Sequence, residues 1–195
     1  DLTEEFVGCG LERGSIFETG IPVSAEFAER TPQKLARAVL GLPEEGPLVL
    51  LMCGSMGCGP MEELAAALSE AMPEDGTVAV LCGTNTRLYE AISRSGLGNV
   101  KAVGYTRQVS VWMDAADLMI SKPGGSTSTE TMSKRLPMII IDAVPGCETK
   151  NLQYLTGRGC AVSVPNEEIP LLASRLLNEP GRADGMKANM ERYFP

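Results

Sequence analysis

The chain has 195 residues, enough for one domain with a full core. Hydrophobic residues make up 44% and charged residues 22%, an ordinary globular balance, and no apolar run approaches the roughly 20 residues that span a bilayer. A formal charge of −8 argues against a general binder of nucleic acid or anionic membrane, yet leaves room for one local anion site built from backbone N–H groups.

The chain opens on Asp1-Leu2-Thr3-Glu4-Glu5, acidic where a secretory leader is basic and then apolar, and the Asp start suggests a piece of a longer protein. Six cysteines (Cys9, Cys53, Cys58, Cys82, Cys147, Cys160) form no CxxC pair, and several adjoin apolar runs. They read as reduced thiols in a cytosolic setting. There is no histidine, so no metal site is expected, and any general base is a carboxylate or comes from elsewhere.

In chain order, Ser15–Thr19 reads as a possible strand and Pro32–Leu40 as a helix with proline in its first turn. From Pro47 a regular alternation sets in. Leu48–Met52 is a short continuous apolar run, suited to a strand buried on both faces. Met61–Met72 carries apolar residues at helical spacing, Thr77–Cys82 is a second strand, and Arg87–Ser95 a helix. Val100–Val103 is a third strand, Arg107–Met113 a short helix, and Leu118–Ile120 a fourth strand. Ser121–Lys134, SKPGGSTSTETMSK, then turns into a helix of about ten residues. Met138–Ile141 is a fifth strand, Glu148–Leu155 a helix, Cys160–Val164 a sixth strand, and Ile169–Leu177 a helix. This pattern predicts an α/β, Rossmann-like, doubly wound parallel sheet of six strands with helices on both faces. Ligands of such sheets bind at the carboxyl ends of the strands, where strand order switches.

Three glycine turns fall on that edge: after Met52, after Val103 and after Ile120. A glycine turn entering a helix offers close backbone approach, unpaired N–H groups and a favourable dipole, which suits a phosphate. Gly124-Gly125-Ser126-Thr127 and Gly54-Ser55-Met56-Gly57 both fit. The spacing of Gly54 to Gly59 is not that of dinucleotide folds, and no P-loop occurs. Bland alternatives stay open. Thr127 and Glu130 also match a capping box, Glu130 and Lys134 an i,i+4 pair, and the Gly54 turn an ordinary strand-to-helix connection.

The segments GIPVSAEF, LVLLMCGSMGCGPMEEL and VKAVGYTRQVSVWMDAADLMISKPGGSTSTETMSKRLPMIIIDAVPGCETKN resemble, in order and spacing, the donor-binding half of GT-B glycosyltransferases. The similarity is to monogalactosyldiacylglycerol synthases and processive diacylglycerol glucosyltransferases, with peptidoglycan N-acetylglucosaminyltransferases as more distant relatives. Nearly the whole chain is covered, and Asp117–Asn151 is the most specific part. The resemblance implies one half of a GT-B fold, with residues 1–23 as the tail of a missing N-terminal acceptor domain and linker, and 24–195 as the C-terminal UDP-sugar-binding domain.

It further implies that Gly54, Ser55 and Gly57, with Gly124, Gly125, Ser126 and Thr127, hold the pyrophosphate, and that Glu130 accepts from the ribose hydroxyls. Backbone at Tyr105 and Thr106 is implied to read the uracil edge, the Tyr105 ring itself packing in the core or at its edge. Gly146, Glu148 and Asn151 are implied to face the sugar, unless Glu148 and Asn151 are only polar residues of a helix start. Three departures bear on donor affinity and sugar choice: Cys147 where relatives often have Gln, Ser24 where many have a basic residue, and Cys53 in place of the first glycine of a Gly-Gly-Ser turn.

The implied activity is transfer of a hexose from UDP-hexose to diacylglycerol or a glycosyl-diacylglycerol. The UDP-sugar is substrate, no cofactor or metal is expected, and the lipid acceptor and the base belong to the missing domain. The isolated chain is then inactive or nearly so, and the full enzyme cytoplasmic and peripheral on the membrane. A stand-alone N-acetylglucosaminyltransferase half or subunit, and a non-catalytic nucleotide-sugar binding module, remain alternatives.

Overall fold

The structure, a computed structural model, describes residues 2–17, 19–54, 56–57, 59–141, 146 and 148–194. Ten helices and six strands are assigned among them: α1 (Thr3–Gly8), α2 (Ala25–Ala28), α3 (Gln33–Leu40), β1 (Leu48–Met52), α4 (Met61–Ala71), β2 (Thr77–Leu81), α5 (Thr86–Arg94), β3 (Val100–Val103), α6 (Val109–Ala115), β4 (Leu118–Ser121), α7 (Gly125–Ser133), β5 (Met138–Ile140), α8 (Thr149–Gly157), β6 (Ala161–Ser163), α9 (Ile169–Asn178) and α10 (Pro180–Tyr193).

All strand pairs are parallel, in the order β3-β2-β1-β4-β5-β6. Strand residues alternate between two cores, as a period of two requires. Val49, Leu51, Val78, Val80, Leu118, Ile120, Ile139 and Ile141 share one core with residues of α4, α5 and α9. Leu48, Leu50, Met52, Ala79, Leu81, Met119, Met138 and Ile140 share the other with residues of α6, α7 and α8 and with Phe27 of α2. Both faces are covered, so β1 and β4 are buried along their whole length. That explains the unbroken apolar sequence of β1 and of Leu118–Ile120 in β4.

The sheet winds outward from β1 through β2 to β3 with α4 and α5 on one face. The chain then returns beside β1 as β4 and winds the other way through β5 to β6, with α7 and α8 on the opposite face. The connections after β1 and β4 therefore diverge to opposite sides and leave a crevice between the carboxyl ends of these two strands. This is the doubly wound sheet expected from the alternation.

Several local expectations are corrected. The described residues of Ser15–Thr19 form no strand: Arg13–Ser15 is a single 3-10 turn, and Ile16, Phe17 and Thr19 carry no strand pairing. Pro32 is the N-cap of α3 rather than a residue of its first turn. Residues 180–193 form a helix that weak apolar periodicity concealed, although Met186 and Met190 anchor it in the two cores. Cys53, Cys82 and Cys160 are buried and Cys9 is exposed, none of them in a disulfide among the described residues; Cys58 and Cys147 lie outside the described residues. Burial raises the thiol pKa of Cys82 and Cys160, as expected for inert core cysteines.

Candidate functional site

The loop after β4 delivers the chain directly into α7. Gly124 is the N-cap, in extended conformation (φ −65°, ψ 140°), and no side chain caps the helix. The first intrahelical bond runs from Ser128 N to Gly124 O at 2.9 Å, so the N–H groups of Gly125, Ser126 and Thr127 have no acceptor within the helix. A Cβ on Gly124 would meet nothing within 4 Å, leaving its main chain open to a ligand. Gly125 differs. A Cβ there would lie 2.9 Å from Ile21 Cδ1, so its bareness accommodates the Gly20–Val23 segment.

The helix starting at Gly125 excludes the capping-box alternative, because Thr127 sits inside the first turn rather than at the N-cap. The i,i+4 alternative fails too. Lys134 turns away from Glu130, donating to Asp114 Oδ2 at 2.7 Å and to Glu29 O, with its side chain 1% exposed. Glu130 is half-buried and, among the described residues, its carboxylate has no hydrogen-bond or ion-pair partner. It stands four residues after Ser126, on the same helical face. Burial raises its pKa, and the nearby carboxylate of Glu26 raises it further.

On the other side of the crevice, the turn after β1 uses its glycines for geometry. Gly54 and Gly57 adopt left-handed conformations (φ 68° and 53°). A Cβ on Gly57 would lie 2.7 Å from Cys82 O, so this glycine permits close packing against the end of β2. Asn85, which caps α5 by accepting from Leu88 N at 2.9 Å, also donates to Gly57 O at 3.3 Å and braces the turn. Space near Gly54 is open. Ser55 lies outside the described residues.

The remaining expected residues gather at the same strand ends. Tyr105 and Thr106 follow β3. The Tyr105 ring is 67% exposed, which corrects the expectation of core or edge packing, and Thr106 Oγ1 accepts from Gln108 N at 3.0 Å. Gly146, with φ 88°, donates its N–H to Thr149 Oγ1 at 3.2 Å, and Glu148 occupies the N-cap position of α8 without capping it by its side chain. Asn151, in the first turn of α8, donates from Nδ2 to Pro123 O at 2.9 Å. Part of its amide is therefore committed to holding the loop before α7. Residues 142–145 between β5 and Gly146 lie outside the described residues.

Two cavities lie away from this rim. One of about 580 Å³ lies beside edge strand β6, between Leu152 and Leu172, and one of about 450 Å³ at the amino ends of β4 and β5, lined by Arg30, Asp114 and Arg135. Among the described residues, no group of three His, Cys, Asp or Glu side chains is placed to hold a metal.

The fold is that of the C-terminal domain of GT-B glycosyltransferases, and it is also found in UDP-N-acetylglucosamine 2-epimerases. The chain belongs to the glycosyltransferase family 28 C-terminal domain family, whose profile matches residues 48–180. It is 30% identical over 195 residues to a processive diacylglycerol beta-glucosyltransferase of Staphylococcus carnosus, covering 98% of this chain and 50% of that protein. It is 35% identical over 161 residues to a probable chloroplastic monogalactosyldiacylglycerol synthase 2 of Oryza sativa subsp. indica, covering 78% of this chain and 34% of that one. The Anabaena protein HepE, solved with UDP and glucose, superposes with a TM-score of 0.67 at 16% identity over 98% of this chain and 55% of its own. The chain spans about half the length, or less, of the curated relatives it matches.

Lys122 was not among the residues singled out from the sequence, although it directly precedes the cradle loop. Nothing in the spacing of SKPGG distinguishes it from a solvated lysine.

Proposed function

We propose that this chain is the donor-binding half of an enzyme that transfers a hexose from UDP-hexose to diacylglycerol or a glycosyl-diacylglycerol. The observation that carries the proposal is the α7 start: a glycine N-cap with open space above it, three N–H groups free of intrahelical bonds, and a half-buried carboxylate, without a partner among the described residues, four residues beyond Ser126. Family membership supports the sugar-nucleotide class, and the printed names of the relatives support the lipid acceptor.

In this reading the diphosphate lies against the main chain of Gly124, Ser126 and Thr127, with Gly54 facing it across the crevice. Glu130 accepts from the ribose hydroxyls, Tyr105 and Thr106 border the base, and Glu148 and Asn151 the sugar. In the reaction, the bond between the sugar anomeric carbon and the diphosphate oxygen breaks, and a bond to the acceptor oxygen forms. The leaving UDP gains charge where helix-terminal N–H groups can stabilise it. The acceptor proton passes to a base outside this chain, and the chain alone turns over little or no substrate. The full enzyme works at a membrane surface with no cofactor. Among the described residues no helix is long and apolar enough to cross a membrane.

Calorimetric titration with UDP, UDP-glucose, UDP-galactose, UDP-N-acetylglucosamine and NAD tests this. Binding of UDP that is lost in Glu130→Ala is the expected result. A response to NAD with none to UDP removes the proposal, and clear preference for UDP-N-acetylglucosamine changes the sugar class.

A further inference from the structure

The nucleotide-sugar reading leaves the diphosphate short of a countercharge. Positions 53–60, at the turn after β1, contain no lysine or arginine, and neither do positions 20–24 of the segment lying over Gly125. Helix N-termini provide only partial positive charge, equivalent to roughly half a unit each. The protein as a whole carries −8. An anion approaching the crevice thus meets a repulsive background unless a cation stands there.

Lys122 stands there. It follows the last residue of β4 and precedes the Pro123-Gly124 entry to α7. Its stem does not run out to solvent alone. A Cβ on Gly59, in the turn after β1, would lie 3.7 Å from Lys122 Cε. The side chain therefore runs from the end of β4 to the turn after β1, where a Cβ on Gly59 would also meet Ile141 Cδ1 and Cys53 Sγ, at the rim shared by the two glycine turns. Its ammonium is one bond beyond that contact.

Of the six lysines in the chain, Lys122 alone has neither an ion pair nor an aromatic ring among the described residues. Lys34 bonds Glu44 and Glu45, Lys134 bonds Asp114, Lys150 bonds Glu5, Lys187 lies 3.7 Å from Asp184, and Lys101 lies 6.0 Å from the Trp112 ring centroid. Lys122 is half-buried. A lysine with a packed stem and an unpaired head is a positioned charge rather than a solvated one. A compact ammonium with three donors suits non-bridging phosphate oxygens approached from one side.

We propose that Lys122 is a donor-binding residue that supplies the cation of the diphosphate subsite, in a chain whose other contacts there come from main-chain N–H groups. It rests on the nucleotide-sugar reading above and adds the residue that neutralises the leaving group. The charge stays with Lys122 throughout; no proton or bond is exchanged with it.

The test compares UDP with uridine, which lacks the phosphates, on the wild-type chain, Lys122→Met and Lys122→Arg. Methionine keeps the packed stem and removes the charge. Loss of a charge-assisted contact predicts UDP affinity lower by about tenfold or more in Lys122→Met. Uridine affinity stays unchanged, UDP binding is largely restored in Lys122→Arg, and the salt dependence of UDP binding is shallower in Lys122→Met than in wild type. UDP affinity unchanged in Lys122→Met, or UDP and uridine weakened equally, overturns the assignment and leaves the donor site standing. Wild-type chain that binds neither ligand overturns both.

Discussion

Asn151 donates its side-chain amide to the carbonyl of Pro123 at 2.9 Å and so joins the first turn of α8 to the loop that enters α7. The bond adds a polar link at the carboxyl rim to two elements that also share a core. Asn151→Ala removes one neutral hydrogen bond and costs about 1 kcal/mol of stability by urea denaturation. Because the bond restrains the loop carrying Gly124, UDP affinity falls as well, and amide hydrogen exchange at Gly125 and Ser126 speeds up. Unchanged exchange there shows that the loop holds its shape without Asn151.

Gly57 and Gly124 separate packing from binding. Gly57→Ala forces a left-handed conformation on a residue with a side chain and drives its Cβ to 2.7 Å from Cys82 O. The expected loss is about 1–2 kcal/mol or more of stability, read from the thermal or urea midpoint. Gly124→Ala meets neither obstacle, since φ is −65° and the space is open. The fold loses no more than about 1 kcal/mol, the N-cap preference of glycine over alanine, while UDP titration shows the loss that a methyl group between phosphate and backbone produces.

Glu130 gives a pH signature. Its pKa is raised, first by burial and then by Glu26. A raised folded-state pKa means the folded protein holds the proton more tightly than the unfolded chain. The resulting stability is fully present below the ordinary glutamate pKa and is lost as pH rises through the folded value. In the proposed donor site ribose hydroxyls donate to the ionised form, so binding has the opposite demand. Uridine, which lacks titrating phosphates, binds more tightly as pH rises through the Glu130 pKa, with proton release measurable by calorimetry in two buffers. Glu130→Gln abolishes the pH dependence, and Glu26→Gln moves it to lower pH.

The Lys134–Asp114 pair, 2.7 Å apart with side chains 1% and 4% exposed, holds the carboxyl end of α7 to α6. Asp114 also accepts from Thr31 N at 3.1 Å. Lys134→Met leaves Asp114 buried without its countercharge and destabilises the fold by about 3–5 kcal/mol. The double variant Lys134→Met/Asp114→Asn recovers part of that loss. A double variant as unstable as the single one shows that the pair contributes through shape rather than charge.

The continuous apolar runs at Leu48–Met52 and Met138–Ile141 and the helical spacing of Leu64 and Leu68 made the sheet and its flanking helices legible in sequence. The periods involved are enforced by burial on two faces. The rim was legible as a set of glycine turns, since Gly54 follows β1 and Gly124 follows β4 at the switch in strand order, with Glu130 in the second turn of the helix after it. What each glycine accommodates was not legible. Gly57 answers to Cys82 and Gly125 to Ile21, both distant in sequence, and no local pattern encodes such partners. For the same reason Thr127–Glu130 and Glu130–Lys134 matched local motifs that tertiary contacts override. Asp114, which claims Lys134, is 20 positions away. The Arg135 position shows a further override: it takes φ 52° at the end of α7, where glycine is the usual choice.

Ile21 fills the space that a side chain on Gly125 would need. The Gly20–Val23 segment is thereby wedged against the start of α7, and each limits what the other can be. A bulkier residue at position 125 dislodges the segment, and a segment that lifts away strips an apolar cover from the helix mouth. One methyl group of Ile21 thus ties the path of the Gly20–Val23 segment to the residue that position 125 can carry.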